Sequence, residues 1–195
     1  MKMYSIFLCL PIVLLLSACA GSPSATVQPE MTFADLRPFE LKVAKIEVRD
    51  DYKPPMKAPN VEHSFPVPPY ISAENLLKKQ LVAAGGGDVL RVVIKDASVV
   101  REELPVTEGF WGAFKREPAE KLKAQVIVGF ELANEQAPDI VTGTAEVAVR
   151  RSKTLLEDAS AADRDSAYFA LTEELMHDLN KGLAEVIEKS FGKKG

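Results

Sequence analysis

The chain has 195 residues, of which 47% are hydrophobic and 27% are charged, a composition that is typical of a globular protein and excludes a disordered chain. Its formal net charge of −4 excludes the overall basic surface of a nucleic-acid-binding domain and gives no electrostatic attraction to anionic lipid. A chain of this length has room for one domain and hardly for two.

The N-terminal segment has the features of an export signal. Lys2 and the α-amino group form a short positive region, and an apolar run follows from Met3 to Leu16. That run is shorter than the roughly 20 residues needed to cross a bilayer, and small residues stand at its end, as at a signal cleavage site. The sequence therefore predicts that residues 1–18 are a signal peptide.

A cysteine stands directly after this segment. Residues 16–19 (LSAC) resemble the lipobox of bacterial lipoproteins. The resemblance implies diacylglycerol on the Cys19 thiol, cleavage before Cys19, and an N-acyl chain such as palmitate on the freed amine. Two or three acyl chains would anchor the protein stably to a membrane. The alternative is an ordinary signal peptide cut near Ala18 or Ala20, which would leave Cys19 as a free thiol.

The lipobox resemblance also implies a location. Ala20, rather than an aspartate, follows the lipidated position, and in Gram-negative lipoproteins this implies the outer membrane, with the protein facing the periplasm. Cys9 and Cys19 are the only cysteines, so no thiol after the anchor could form a disulfide or a zinc site. No cofactor is expected beyond the covalent diacylglycerol and N-acyl chain. Residues 19–30 are predicted to be a lipidated tether, and residues 31–195 a single domain.

The first predicted strand covers residues 39–50. Its apolar alternation changes phase between Val43 and Ala44, which indicates either a bulge or a strand covered on both sides. Ser72 is the predicted N-cap of a helix over residues 73–84, which the glycines at 85–87 would end.

A proline-rich loop joins this strand to this helix and contains the segment FPVPP at residues 65–69. Prolines favour a preformed extended conformation that could dock in a groove of a partner. Phe65, Pro66 and Pro68 are therefore predicted contact residues. The alternative is a stiff crossing from strand to helix.

Three further strands and a last helix are predicted. Residues 89–101 form the second strand, and residues 121–133 the third, whose alternation indicates one buried and one solvent-facing side. Residues 140–151 form the fourth strand, with these residues facing the core: Val141, Gly143, Ala145, Val147 and Val149. The helix begins after Ser160, which can form a capping box with Asp163, and it carries an apolar stripe made of Tyr168, Leu171, Leu175, Leu179, Leu183 and Val186.

The order β-α-β-β-β-α predicts the α+β class, with a four-stranded, mostly antiparallel sheet and two helices on one face.

The long connection before the third strand contains an aromatic cluster. Phe110, Trp111 and Phe114 lie among glycines in residues 108–115. Loops normally expose polar residues, so these three are predicted to contact a protein partner or the membrane. The alternative is a flap that folds onto the core.

No catalytic or metal-binding pattern is visible. The sequence lacks a G-x-S-x-G elbow, a P-loop and a dinucleotide fingerprint, and His63 beside Ser64 is not a triad, because the partners must converge in space with an acid. Glu174 and His177 have the spacing of half a di-iron site, but no second copy is apparent. We therefore expect no enzymatic activity and no metal.

The lipobox, the tether and the β-α-β-β-β-α order together resemble small envelope lipoproteins that serve as accessory subunits. Examples are the auxiliary lipoproteins of ABC-type lipid transport systems and the lipoprotein that plugs the lipopolysaccharide translocon. The resemblance covers roughly residues 33–191 and transfers no site residue. It implies a non-enzymatic accessory or assembly subunit of an envelope transport or biogenesis complex, with a protein partner and no nucleic acid. A periplasmic lipid-binding module is the alternative, and an envelope hydrolase is a further one.

Overall fold

The structure of the chain, a computed structural model, describes residues 31–107 and 116–191. Within them, the helices are α1 (Pro69–Gln80) and α2 (Ala161–Val186), which a π-helical turn (Ile187–Phe191) extends. The strands are β1 (Phe39–Leu41), β2 (Lys45–Asp50), β3 (Leu81–Ala83), β4 (Asp88–Asp96), β5 (Val99–Glu103), β6 (Pro118–Asn134) and β7 (Ala137–Leu156).

The long strand β6 organises the main sheet. β7 pairs antiparallel with one side of β6 along its length. On the other side β4 and β5 lie end to end, both antiparallel to β6, and β2 pairs parallel with β4. β1 and β3 form a separate parallel pair. The fold is α+β with two helices, as predicted, but the main sheet is mixed and has five strands rather than four.

Two local causes explain this difference. The predicted strand 89–101 divides at Ala97, where the Asp96 carboxylate accepts the Ser98 backbone N–H at 2.9 Å and turns the chain between β4 and β5. β2 is parallel to β4 because α1 lies in the connection between them, and such a crossover returns the chain in the same direction. The predicted strand 39–50 also divides, since residues 42–44 leave the strand where the apolar phase changes.

Helix α1 begins earlier than the sequence pattern indicates. Pro69 occupies its first position, where the missing N–H costs no hydrogen bond. The Ser72 hydroxyl donates to the Pro68 carbonyl at 3.2 Å instead of capping the helix. The prediction of a helix over residues 73–84 is therefore wrong at both ends, because residues 81–83 pair with β1.

The glycines at 85–87 form the turn from β3 into β4 rather than a helix terminus. Gly86 has a φ of +150°, and a Cβ at this position would lie 2.6 Å from the Lys42 carbonyl oxygen. Only a glycine allows the turn to approach the chain before β2 this closely.

The sequence patterns of β6 and α2 are confirmed. The alternate residues of β6 predicted to face the core are buried: Leu122, Ala124, Val126, Val128, Phe130 and Leu132. Ser160 and Asp163 form the predicted capping box. The apolar stripe of α2 is buried from Tyr168 to Leu183, and Val186 packs at its margin.

Both helices lie on one face of the sheet, with α1 over β2 and β4 and α2 over β6 and β7. The crossing of α2 over β7 is close at Gly182, where a Cβ would lie 2.6 Å from Cγ1 of Val147. The opposite face of the sheet carries mainly polar side chains, including the ion pair between Lys95 and Glu146 at 2.9 Å.

The prediction that Val141 faces the core is wrong. Its side chain is 44% exposed, because β7 runs to Ala137 and the register breaks between the pairs Leu132↔Gly143 and Ala133↔Val141. The inward alternation holds at Val147, which is buried, and at Val149 and Ala145, which pack against the core.

Candidate functional site

Several of the predicted site residues lie outside the described part of the chain. These are Cys19, Phe110, Trp111 and Phe114. Lipidation of the first, and partner or membrane contact by the other three, therefore stay predictions.

The proline-rich segment is attached to α2. The Phe65 ring is 4% exposed and stacks on Tyr168, with ring centroids 4.2 Å apart and an interplanar angle of 4°. The Thr172 hydroxyl donates to the Val67 carbonyl at 3.3 Å. Pro66 and Pro68 are half-buried, so they are the part of the predicted docking segment that a partner could reach.

A buried carboxylate fixes the loop before α1 to β5. Glu62 is fully buried and accepts hydrogen bonds from the Tyr52 hydroxyl at 2.6 Å, the Val99 N–H at 3.1 Å and the Asn60 amide at 3.4 Å. Burial, and then the hydrogen bond to Glu62, raises the pKa of Tyr52 above its usual value. Because three donors satisfy a carboxylate that solvent does not reach, this cluster has the features of a structural anchor.

The turn between β6 and β7 carries two exposed apolar side chains and forms the first candidate contact surface. We call residues 134–143 the hairpin tip. The Gln136 N–H donates to the Asn134 side-chain oxygen at 2.9 Å and closes the turn, and the Glu135 N–H bonds the Gly87 carbonyl at 3.1 Å. Ile140 is 60% exposed and its neighbour Val141 is 44% exposed.

The charged residues next to this apolar pair in the sequence have one sign. Glu131, Glu135 and Asp139 are exposed, and residues 131–143 contain no lysine or arginine. An acidic apolar tip would be repelled by an anionic lipid surface. It suits a protein surface with an apolar depression and a basic rim.

A groove beside α2 is a second candidate site. It has a volume of about 490 Å³ and lies between residues 31–36 and α2, where Met31, Phe33, Leu36 and Met176 form its apolar part. Oδ1 of Asn180, a further lining residue, is buried with no hydrogen-bond partner. An apolar groove that also has polar lining residues, such as Glu173 and Lys181, suits a small amphiphilic ligand.

The sequence did not reveal the tip or this groove. Ile140 and Val141 continue an ordinary strand pattern, and their exposure follows from the irregular pairing at this end of the ladder, where Ala133 pairs with Val141 and Asn134 with Ala137. Among the described residues, no helix is long and apolar enough to cross a membrane. In the same ranges, no three His, Cys, Asp or Glu side chains are grouped so that they could hold a metal ion.

No family model matches the chain, and no curated protein matches its sequence. Solved structures of bacterial lipoproteins align with about three quarters of the chain. A minor lipoprotein from Acinetobacter baumannii has a TM-score of 0.41 and 12% identity, over 76% of this chain and 93% of that one. Rare lipoprotein B from Shewanella oneidensis has a TM-score of 0.39 and 13% identity, over 74% and 95%. An uncharacterised lipoprotein B from Nitrosomonas europaea has a TM-score of 0.42 and 11% identity, over 77% and 88%.

Proposed function

We propose that the chain is a non-enzymatic accessory or assembly lipoprotein that binds a protein partner in an envelope transport or biogenesis complex. Cys19 would carry the diacylglycerol and N-acyl chains and hold the domain at the periplasmic face of the outer membrane. Residues 19–30 would give the domain a reach of up to about 40 Å from the lipid, since an extended chain spans about 3.3–3.6 Å per residue.

The observation that carries this proposal is the hairpin tip. Burying the exposed parts of Ile140 and Val141 against a partner would contribute about 2 kcal/mol or more at about 25 cal/mol per Å². The carboxylates around them favour a protein with a basic rim over the anionic surface of a membrane. The aromatic residues Phe110, Trp111 and Phe114 would provide a second contact. Thr107 and Arg116, which bracket them, lie at the far end of the β6–β7 ladder from the tip.

The experiment is affinity capture of the lipidated full-length chain from gently solubilised envelopes. Substituting Ile140→Ser together with Val141→Ser should lower recovery of a specific envelope protein at least about ten-fold, the equivalent of 1.4 kcal/mol. The matched control is Ile71→Ser with Val82→Ser, because those side chains are 43% and 42% exposed and belong to α1 and β3 rather than to the tip. Equal recovery by both double variants would refute the tip as the contact surface.

The anchor and the aromatic loop each need a separate arm. Cys19→Ala should release the chain from the membrane and reduce capture, and a membrane-bound Cys19→Ala form would contradict lipid anchoring. Phe110→Ser with Trp111→Ser should weaken capture further if the aromatic residues touch the partner.

A lipid-binding module is the second candidate function, and the groove between residues 31–36 and α2 favours it. Native mass spectrometry of the delipidated chain should then detect a co-purified amphiphile. Met176→Phe would fill the apolar part of the groove and should remove that species while leaving partner capture unchanged.

A further inference from the structure

One edge of the main sheet is unpaired within residues 31–107 and 116–191. In these ranges β7 pairs with β6 alone, so its other side presents free backbone groups along a strand of 20 residues. A free strand edge is a template for pairing with another strand. The side chains on this edge decide what that strand is.

Two contacts show which alternate residues of β7 direct their backbone N–H and C=O groups toward β6 and which direct them outward. The Gln125 N–H donates to the Ser98 carbonyl at 2.9 Å, so Gln125 points its backbone groups away from its partner Arg150. At the other end, the Glu157 N–H donates to the Glu117 carbonyl at 3.1 Å. Both contacts give the same result: odd-numbered residues of β7 bond to β6, and even-numbered residues from 144 to 154 direct their N–H and C=O groups outward.

The outward-bonding residues carry a symmetric charge pattern. Glu146 and Arg150 are the only charged ones among the even-numbered residues 144–154, and they lie two positions on either side of Ala148. Both side chains already have a partner within the chain: Lys95 donates to Glu146 at 2.9 Å, and Arg150 donates to Gln125 at 2.6 Å. All four side chains lie on the solvent-facing side of the sheet.

We propose that two copies of this chain pair antiparallel through β7, about a two-fold axis at Ala148. In this register Ala148 bonds its own counterpart, and each Glu146 lies opposite Arg150 of the second copy. On the helix side, each Val147 lies opposite Val149 of the second copy. The ladder would join two five-stranded sheets into one.

The charges of Glu146 and Arg150 favour a second copy of the chain as the partner of β7 and favour one register of the two strands. An axis at residue 146 or 150 would place like charges opposite each other, and an axis at residue 147 or 149 would leave both charges without a partner. Only the axis at Ala148 pairs each carboxylate with a guanidinium, and cross-strand pairs of opposite charge stabilise a ladder whereas like charges destabilise it.

The outer flank of α2 leaves space for the second strand. A groove of about 420 Å³ runs between β7 and the α2 residues Asp178, Lys181 and Glu185, with Val147 and Val149 in its wall. The side chain of Val149 from the second copy would enter this groove.

The first test places single cysteines along β7 of the full-length lipidated chain. Residues opposite each other in a hydrogen-bonded antiparallel pair have Cα atoms about 5.5 Å apart, within the disulfide range of about 4.4–6.8 Å. Ala148→Cys should therefore form disulfide-linked dimers on mild oxidation. Ser152→Cys is the matched control, because eight residues of strand would separate the two cysteines by about 26 Å. Dimers from Ser152→Cys, or from neither variant, would overturn the proposed pairing.

The second test exchanges the charges. Glu146→Arg and Arg150→Glu should each weaken self-association about ten-fold or more, since each creates two like-charge pairs. Mixing the two variants should restore dimers, and these should be heterodimers, because every Arg would then face a Glu. The control Glu131→Arg makes the same charge change on β6 and should dimerise normally. Self-association that is unchanged in both variants, or that mixing fails to restore, would refute the register, whatever the result of partner capture through the hairpin tip.

Discussion

Gly182 should be intolerant of a methyl group although it lies inside a helix. Replacing glycine by alanine in a helix interior normally stabilises it by about 1 kcal/mol. Here the new Cβ would lie 2.6 Å from Cγ1 of Val147. Val147 is buried and β-branched, so it has few rotamers into which it can move. Overpacking of this kind costs about 1–3 kcal/mol, which should exceed the gain in helix propensity. Gly182→Ala should therefore lower the free energy of unfolding by about 1 kcal/mol.

The effect of Gly182→Ala on the free energy of unfolding should change sign when Val147 is also replaced by alanine. Val147→Ala removes Cγ1 and leaves Cβ, which is 3.7 Å from the added methyl group and in ordinary contact. In that background Gly182→Ala should raise the free energy of unfolding by about 1 kcal/mol. The assay is urea unfolding of the four chains of a double-mutant cycle. Val149→Ala is the matched control and should leave the effect of Gly182→Ala destabilising. A stabilising Gly182→Ala in the native background would refute the close crossing of α2 over β7.

Two further predictions concern the turn before β4 and the start of α2. Gly86→Ala should destabilise the protein by about 2 kcal/mol, because it combines a positive φ with the contact to the Lys42 carbonyl. Gly85→Ala, at φ +89° with open space around it, should cost about 1 kcal/mol in the same unfolding assay. Arg164 donates to Glu120 at 2.7 and 2.8 Å, and this holds the pKa of Glu120 below its usual 4.5. When folding lowers the pKa of a carboxyl group, its ionised form stabilises the folded state at pH values above the pKa that the group has in the unfolded chain. This stabilisation is lost as the pH falls through the lower pKa of the folded state. Arg164→Gln should therefore cost about 1 kcal/mol at pH 7 and flatten the loss of stability below about pH 5; an unchanged acid profile would contradict the ion pair.

The parts of the fold that the sequence predicts are those governed by local periodicity. One side of β6 is buried and the other faces solvent, so apolar and polar residues alternate visibly in its sequence. The capping box at Ser160 fixes the start of α2. The start of α1 was missed because a proline at the first helical position and a serine three residues later are both plausible N-terminal signals. The division at Ala97 comes from a local turn that the apolar run conceals, in which Asp96 accepts the Ser98 N–H. The parallel pairing of β2 with β4 depends on contacts between distant residues, which no local pattern records.

The candidate site shows the same division. Phe65 was predicted from its proline context, but its burial depends on Tyr168, more than a hundred residues later in the chain. Ile140 and Val141 fit a strand pattern, and their exposure follows from the break in pairing with β6 at Ala133 and Asn134, which no local pattern records. The charge pattern that favours one register along the free edge of β7 is present in the sequence. It can be recognised only when the pairing with β6 shows which residues of β7 direct their backbone groups outward.

The most direct test of the tip as a partner contact is photocrosslinking in intact envelopes. A photoreactive amino acid at position 140 of the lipidated chain should give a crosslink to a discrete protein, and the same probe at position 71 should not. That result would place a partner on the hairpin tip in its native membrane. A probe at position 140 that crosslinks only to lipid, or to no envelope protein, would contradict the account.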